Sequence, residues 1–304
     1  MKSAGKLVAL AALSAALLAA PWVLSIFWIY LVVEILILAL FATSLNILMG
    51  YGGMISLGHA AYFGLGAYSA ALLTKRAGWA MAPAFLVSPL AAALGALVFG
   101  FFCVRLTRAY FIMLTLAFAQ ILYAVIYKWY DLTGGENGLS GVWPSGVLAA
   151  PRNYFYFTLL VSGLSLGAIY RIVSSPFGYA LRAIRENPVK AEFLGIPVRR
   201  YQHIAFVISG LFAGIAGSLF AFFNGSVFPE LAFWTKSAEP LVTVIIGGQQ
   251  SFWGPVVGAV VFKGLEIVIT RSLTYWQLVL GCLVLLMVLV FPQGLTGFRR
   301  GLRS

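Results

Sequence analysis

The sequence predicts an all-α, polytopic integral membrane protein of about ten transmembrane helices with both termini in the cytoplasm, and three observations carry that expectation. Hydrophobic residues make up 62% of the chain and charged residues 9%, with a mean hydropathy of +0.98, far from the averages of soluble domains. Apolar runs of about 20 residues, the length that a hydrocarbon layer roughly 30 Å thick demands, recur throughout the 304 residues. The basic residues gather at the ends of those runs, where inner loops face anionic lipid; that placement assigns the net charge of +12 to a membrane surface and not to nucleic acid.

Taken in order, the first twenty residues carry two lysines, an apolar stretch and a Leu18-Ala19-Ala20 end that resembles a signal peptide. Because the apolar run continues through Trp22 to Leu24, a retained first span is expected. Further spans are expected at about 27–49, 54–73, 83–104, 109–129, 154–173, 202–223, 238–250, 255–270 and 275–291. With an inside N-terminus, thirteen basic residues fall on inner segments. Six fall on outer ones, namely Lys75, Arg76, Lys128, Arg152, Lys236 and Arg271, and Lys263 stays within a span. That asymmetry places the 174–201 loop in the cytoplasm and the 130–153 loop on the opposite side.

The 177–201 stretch is a charged island, FGYALRAIRENPVKAEFLGIPVRRY. Tyr179, Ala180, Ala183 and Ile184 recur at helical spacing while Arg182 and Arg185 face elsewhere, which reads as an amphipathic helix lying on the membrane surface. Asn187 is an N-cap and Pro188 a first-turn proline, since the Asn side chain satisfies an orphan amide and proline has none to leave unpaired. The new helix ends near Leu194. Gly195 suits the left-handed C′ position, Ile196 the apolar contact after it, and Pro197 blocks continuation. A doubly capped helix of two turns is a shaped docking element; the plainer reading is a solvated connector.

Asn46 to Tyr68 is the second unusual stretch. Gly50, Gly52 and Gly53 interrupt two apolar spans, and Ser56 and His59 carry polar groups into the next one. Interrupted helices at membrane depth are tolerated where protein or a water-filled cavity satisfies the freed backbone, so this stretch reads as lining a pathway. His59 by itself reads more simply as a core histidine bonded to a backbone carbonyl. A short echo, GG-x-x-S, occurs at Gly52 to Ser56 and again at Gly247 to Ser251, which adds Gly247 and Gly248 to the candidate pathway. The small-residue pairs Gly210/Gly214, Ala213/Gly217 and Gly254/Gly258 read as close helix packing.

Chemistry is excluded more than it is offered. Charged residues inside spans are few, Glu34 and Lys263 with Glu266, and the latter pair at i,i+3 can neutralise itself, which leaves little for a proton relay. Cys103 and Cys282 lack metal-type or redox-type spacing and read as small hydrophobes. No GxxxxGK[ST] phosphate cradle and no catalytic constellation occurs, so the chain reads as neither an enzyme nor a motor, with no cofactor of its own.

The run RAIRENPVKAEFLGIPVRRYQHIAFVISGLFAGIAGSLFA, with GYGGMISLGHAAYFGLGAY and the outer-loop GGENGLSG, resembles the LivM-type permease subunits of branched-chain amino acid ABC importers from about residue 27 onward. The resemblance implies one transmembrane permease domain over 1–304 in a bacterial inner membrane. It also implies that the loop corresponding to 176–197 carries an Ala-x-x-x-Gly coupling core, here Ala191 and Gly195, that docks on a separate cytoplasmic ATPase, which would bind the ATP. Locally the chain has Lys190-Ala191-Glu192 in place of Glu-Ala-Ala. The candidate coupling residues are Arg185, Glu186, Asn187, Pro188, Ala191, Glu192 and Gly195. A paralogous LivH-like permease, ATPase subunits and a periplasmic substrate-binding protein are the implied partners. Related members carry urea or short-chain amides, which stands as the alternative substrate class. An autonomous ion-coupled carrier is the alternative mechanism, supported by the broken spans alone.

Overall fold

The computed structural model describes residues 21–22, 25–106, 108–272 and short runs between 278 and 296. The expected first span over 1–24 and last span over 275–291 fall largely outside the described residues. The helices are α1 (Ile26–Asn46), α2 (His59–Lys75), α3 (Met81–Cys103), α4 (Arg108–Lys128), α5 (Tyr130–Thr133), α6 (Pro151–Val173), α7 (Pro176–Glu186), α8 (Pro188–Phe193), α9 (Val198–Asn224), α10 (Ala238–Gly247) and α11 (Gly254–Ser272). A π-turn over Ile47–Tyr51 extends α1. Leu139–Ser140 (β1) and Ser226–Val227 (β2) pair antiparallel, tying the 130–153 loop to the end of α9.

Five stretches among the described residues are long and apolar enough to cross a membrane: Ile26–Tyr51, Met81–Cys103, Ala109–Lys128, Pro151–Val173 and Val198–Asn224. The span expected over 238–250 takes a different form. α10 has ten residues, about 15 Å at 1.5 Å per residue, which is half the hydrocarbon thickness. It does not need to be longer, because the chain reaches it from within the bundle. After β2, residues 229–237 run as two 3-10 turns beside α2, with Ala232 against Gly64. Ser237 Oγ then accepts a 2.8 Å hydrogen bond from the Ala60 amide in the first turn of α2. Non-helical backbone at this depth persists because protein surrounds it. Lys236, expected on an outer loop, therefore lies over the rings of Phe63 and Phe220.

α9 is the central helix. Its small residues let other backbones approach: a Cβ at Gly210 or Gly214 would collide with Ala96 or Ala92 of α3, and one at Gly217 with the Phe63 carbonyl of α2. Gly66 meets Gly214 from the other side. Lipid supplies no hydrophobic drive between helices, so close packing and interhelical hydrogen bonds hold them, as in Ser88 to Ser218 at 2.7 Å and Ser218 to the Gly66 carbonyl at 3.2 Å. Gly247, Gly254 and Gly258 do the same for the α10–α11 hairpin. These are the packing roles that the small-residue spacings predicted.

Candidate functional site

The loop after α6 folds as its local signals require. Asn187 Oδ1 accepts from the Lys190 amide at 3.0 Å, and Pro188 opens α8. Gly195 has φ +81°. Its amide bonds the Glu192 carbonyl at 2.9 Å and the Ile196 amide the Ala191 carbonyl at 3.1 Å, the two bonds of a Schellman stop. Phe177 stacks on Tyr201 at 5.4 Å and closes the base of the hairpin. Of the candidate coupling residues, Ala191 is buried while Glu186, Pro188, Glu192 and Gly195 are exposed. Sequence reasoning missed Val189, Phe193 and Leu194, which are 60%, 87% and 79% exposed. Three apolar side chains in an otherwise polar loop were the available signal.

α7 is amphipathic but rotated from expectation: Gly178, Leu181 and Ile184 are its buried residues, and Tyr179 is exposed. The rotation turns both arginines toward the broken end of α1. Arg185 Nη1 donates to the Gly50 carbonyl, and the Arg182 guanidinium lies 4.9 Å from the Tyr51 ring. The last carbonyls of a helix lack intrahelical partners and carry partial negative charge, so a guanidinium is a fitting cap.

The interrupted segment packs against its sequence echo. Asn46 Nδ2 approaches the Ser251 carbonyl at 3.5 Å, and a Cβ on Gly50 would strike both the Gln249 carbonyl and Asn46 Oδ1. Gly53 has φ +69°, and a Cβ there would lie 2.7 Å from Arg185 Cγ. Gly248 has φ +106°. The Gly247 carbonyl accepts from the amide and the hydroxyl of Thr296 at 3.1 and 2.7 Å. Ser56 is buried, and its Oγ accepts from the Gly58 amide at 3.3 Å. His59 is fully buried, stacked on Phe41, with Nε2 2.8 Å from Ser44 Oγ. Since that hydroxyl donates to the Phe41 carbonyl at 2.6 Å, His59 Nε2 is the donor, and its partner is a serine hydroxyl in place of the expected carbonyl. The structure thus brings Asn46, Gly50, Gly52, Gly53, Gly247 and Gly248 to one end of the bundle and places Ser56 and His59 deeper.

Deeper still lies a cavity of about 200 Å³ between α1, α2, α9, α10 and α11. Phe41, Phe63, Phe220, Ile37 and Leu38 form its apolar wall, and Glu34, Lys236, Glu239, Lys263 and Glu266 its polar one. Lys263 Nζ is 3.1 Å from Glu34 and 2.8 Å from Glu266; Lys236 Nζ grips both oxygens of Glu239 at 2.7 and 2.8 Å. Glu34 stands eight residues into α1, about 12 Å along its axis. Charges at such depth are costly unless paired or hydrated. The sequence marked Glu34, Lys263 and Glu266 as in-span charges. It placed Lys236 on an outer loop and did not mark Glu239, which stands at the start of the span expected over 238–250.

Broken helix ends, a charged cavity at membrane depth and a shaped loop at one end define a polytopic α-helical membrane protein of the kind that handles solutes. The family model described as branched-chain amino acid transport system / permease component matches residues 27–290, and the chain belongs to that family. It is 32% identical over 288 residues to the high-affinity branched-chain amino acid transport system permease protein LivM of Escherichia coli, an alignment covering 84% of this chain and 67% of that one. It is 30% identical over 125 residues to the corresponding LivH protein of the same organism, covering 40% of each. A solved structure of PsaBC from Streptococcus pneumoniae in complex with Fab superposes with a TM-score of 0.50 at 14% identity, covering 90% of this chain and 95% of that one, a likeness of fold alone.

Proposed function

We propose that this chain is the membrane-spanning subunit of an ATP-driven importer that moves branched-chain or other apolar amino acids from the periplasm into the cytoplasm across a bacterial inner membrane. The whole chain, 1–304, acts as one permease domain. It works beside a LivH-like paralogue, receives substrate from a periplasmic binding protein and is driven by separate ATPase subunits. The observation that carries this reading is the contact of Arg185 with the Gly50 carbonyl. It joins a helical hairpin with an exposed apolar tip, suited to gripping by another protein, directly to the broken end of α1. Movement of α7 and α8 then moves the Asn46 to Gly53 segment and the 248–251 turn packed on it. Candidate coupling residues divide accordingly: Asn187, Pro188 and Gly195 shape α8, Ala191 seats it, Glu186 and Glu192 face the ATPase, and Arg185 transmits.

The test is reconstitution with the paralogue, ATPase and binding protein, comparing wild type with Arg185→Ala. The expected variant inserts and assembles but hydrolyses ATP without matching leucine uptake. Uptake by this chain alone, driven by an ion gradient without an ATPase, would overturn the reading in favour of a secondary carrier. Uptake of urea but not leucine would replace the substrate class.

A further inference from the structure

We propose that the cavity bounded by α1, α10 and α11 is a binding site for the ammonium group of an apolar solute, and that it makes the ammonium, more than the carboxylate, the obligatory recognition element. The inference deepens the reading of this chain as a transport subunit and rests on it. Three carboxylates and two lysines line the cavity. Lys236 is occupied bidentately by Glu239, so a single lysine, Lys263, serves both Glu34 and Glu266. One negative charge is left over, and it falls on those two glutamates. Their side chains keep 39% and 27% of their exposure at a depth where lipid contact would be prohibitive. Both glutamates line the cavity, which can offer them a cation or water. The facing wall is aromatic and aliphatic, from Phe41, Phe63 and Phe220. Such rings accept an alkyl side chain, while Phe63 and Phe220 already face the Lys236 ammonium. The volume of about 200 Å³ lies below the roughly 300–1,000 Å³ of drug-sized pockets, which limits the occupant to a small solute. A neutral amide such as urea leaves the extra charge unanswered, and a carboxylate without an ammonium meets net repulsion.

The test uses the full chain in nanodiscs of phosphatidylcholine and phosphatidylglycerol, which offer no primary ammonium, and reads thermal unfolding with leucine, leucinamide, 4-methylpentanoate or urea. Leucine and leucinamide should raise the unfolding midpoint, whereas 4-methylpentanoate and urea should not. Glu266→Gln should weaken the leucine effect about tenfold, the scale of one charge-assisted hydrogen bond. Glu34→Gln should act likewise and stands in if Glu266→Gln lowers the unliganded midpoint; Glu136→Gln, in the 130–153 loop, should change nothing. The proposal is overturned if leucine gives no shift, if 4-methylpentanoate or urea protects as well as leucine, or if both glutamine variants respond like wild type. Uptake by the reconstituted assembly is scored separately: intact ATP-driven uptake with indifferent glutamine variants sinks the cavity site and leaves the importer reading standing.

Discussion

Arg185 and Gly53 meet where the 174–201 loop touches the interior of the bundle. With φ +69° at Gly53 and Arg185 Cγ 2.7 Å from any added Cβ, Gly53→Val carries two penalties, a left-handed backbone that a β-branched residue resists and the loss of room for the arginine. Transport should fall to background while the protein still inserts, as membrane fractionation with leucine uptake would show; uptake at the wild-type rate would remove this segment from the pathway. Gly195 differs in kind. Nothing lies within 4 Å of an added Cβ there, so Gly195→Val acts through conformation alone, at about 1 kcal/mol or more. Its expected signature is normal insertion and pairing with the paralogue, weak ATPase co-purification and little substrate-stimulated hydrolysis. Wild-type assembly and hydrolysis in that variant would reduce the loop to a passive connector.

At the scale of elements, α8 illustrates how little length a helix needs when both ends are tied. Six residues cannot hold a helix by propagation alone. The Asn187 cap and the Schellman stop satisfy the amides and carbonyls that would otherwise fray. Asn187→Ala should cost the element about 1 kcal/mol, read as faster amide exchange over 189–193 and lower ATPase affinity, with the midpoint for global unfolding unchanged. α2 and α9 test the opposite regime, where side-chain volume decides. Gly217→Leu must push into the Phe63 backbone, and overpacking of about 1–3 kcal/mol should appear as a lower unfolding midpoint of the purified protein. Unchanged stability would show that the α2–α9 contact is not the close seam described.

For the whole molecule, the distribution of charge and the course of α6 agree. Arg76 bonds the Asp131 carbonyl and Lys75 lies against Gly141, so this basic pair sits with the 130–153 loop. The 23-residue α6 separates that loop from α7 and α8. Reporter fusions after Arg199 and at the C-terminus should report cytoplasm, and one after Glu136 periplasm; cytoplasmic signal at Glu136 would break the proposed topology.

What the sequence determined by itself is whatever local chemistry controls. Caps at Asn187 and Gly195, the helix break at Gly50 to Gly53, the small-residue seams of α9 and the membrane character depend on neighbours within one or two turns, or on composition summed over a span. Even the GG-x-x-S echo was visible, though not that its two copies pack together. The tertiary structure alone decided the rotation of α7: the helix is amphipathic, but the broken end of α1, which Arg182 and Arg185 meet, fixes that Gly178, Leu181 and Ile184 turn inward. It alone decided that α10 is half a span and that residues 229–237 descend beside α2. In the sequence, Lys236 reads as an outer-loop residue and Glu239 as the start of the next span. They become part of one cavity because α1 and α11, distant in sequence, bring Glu34, Lys263 and Glu266 to them, and no local rule encodes a meeting of charges that only the packing of separate helices creates.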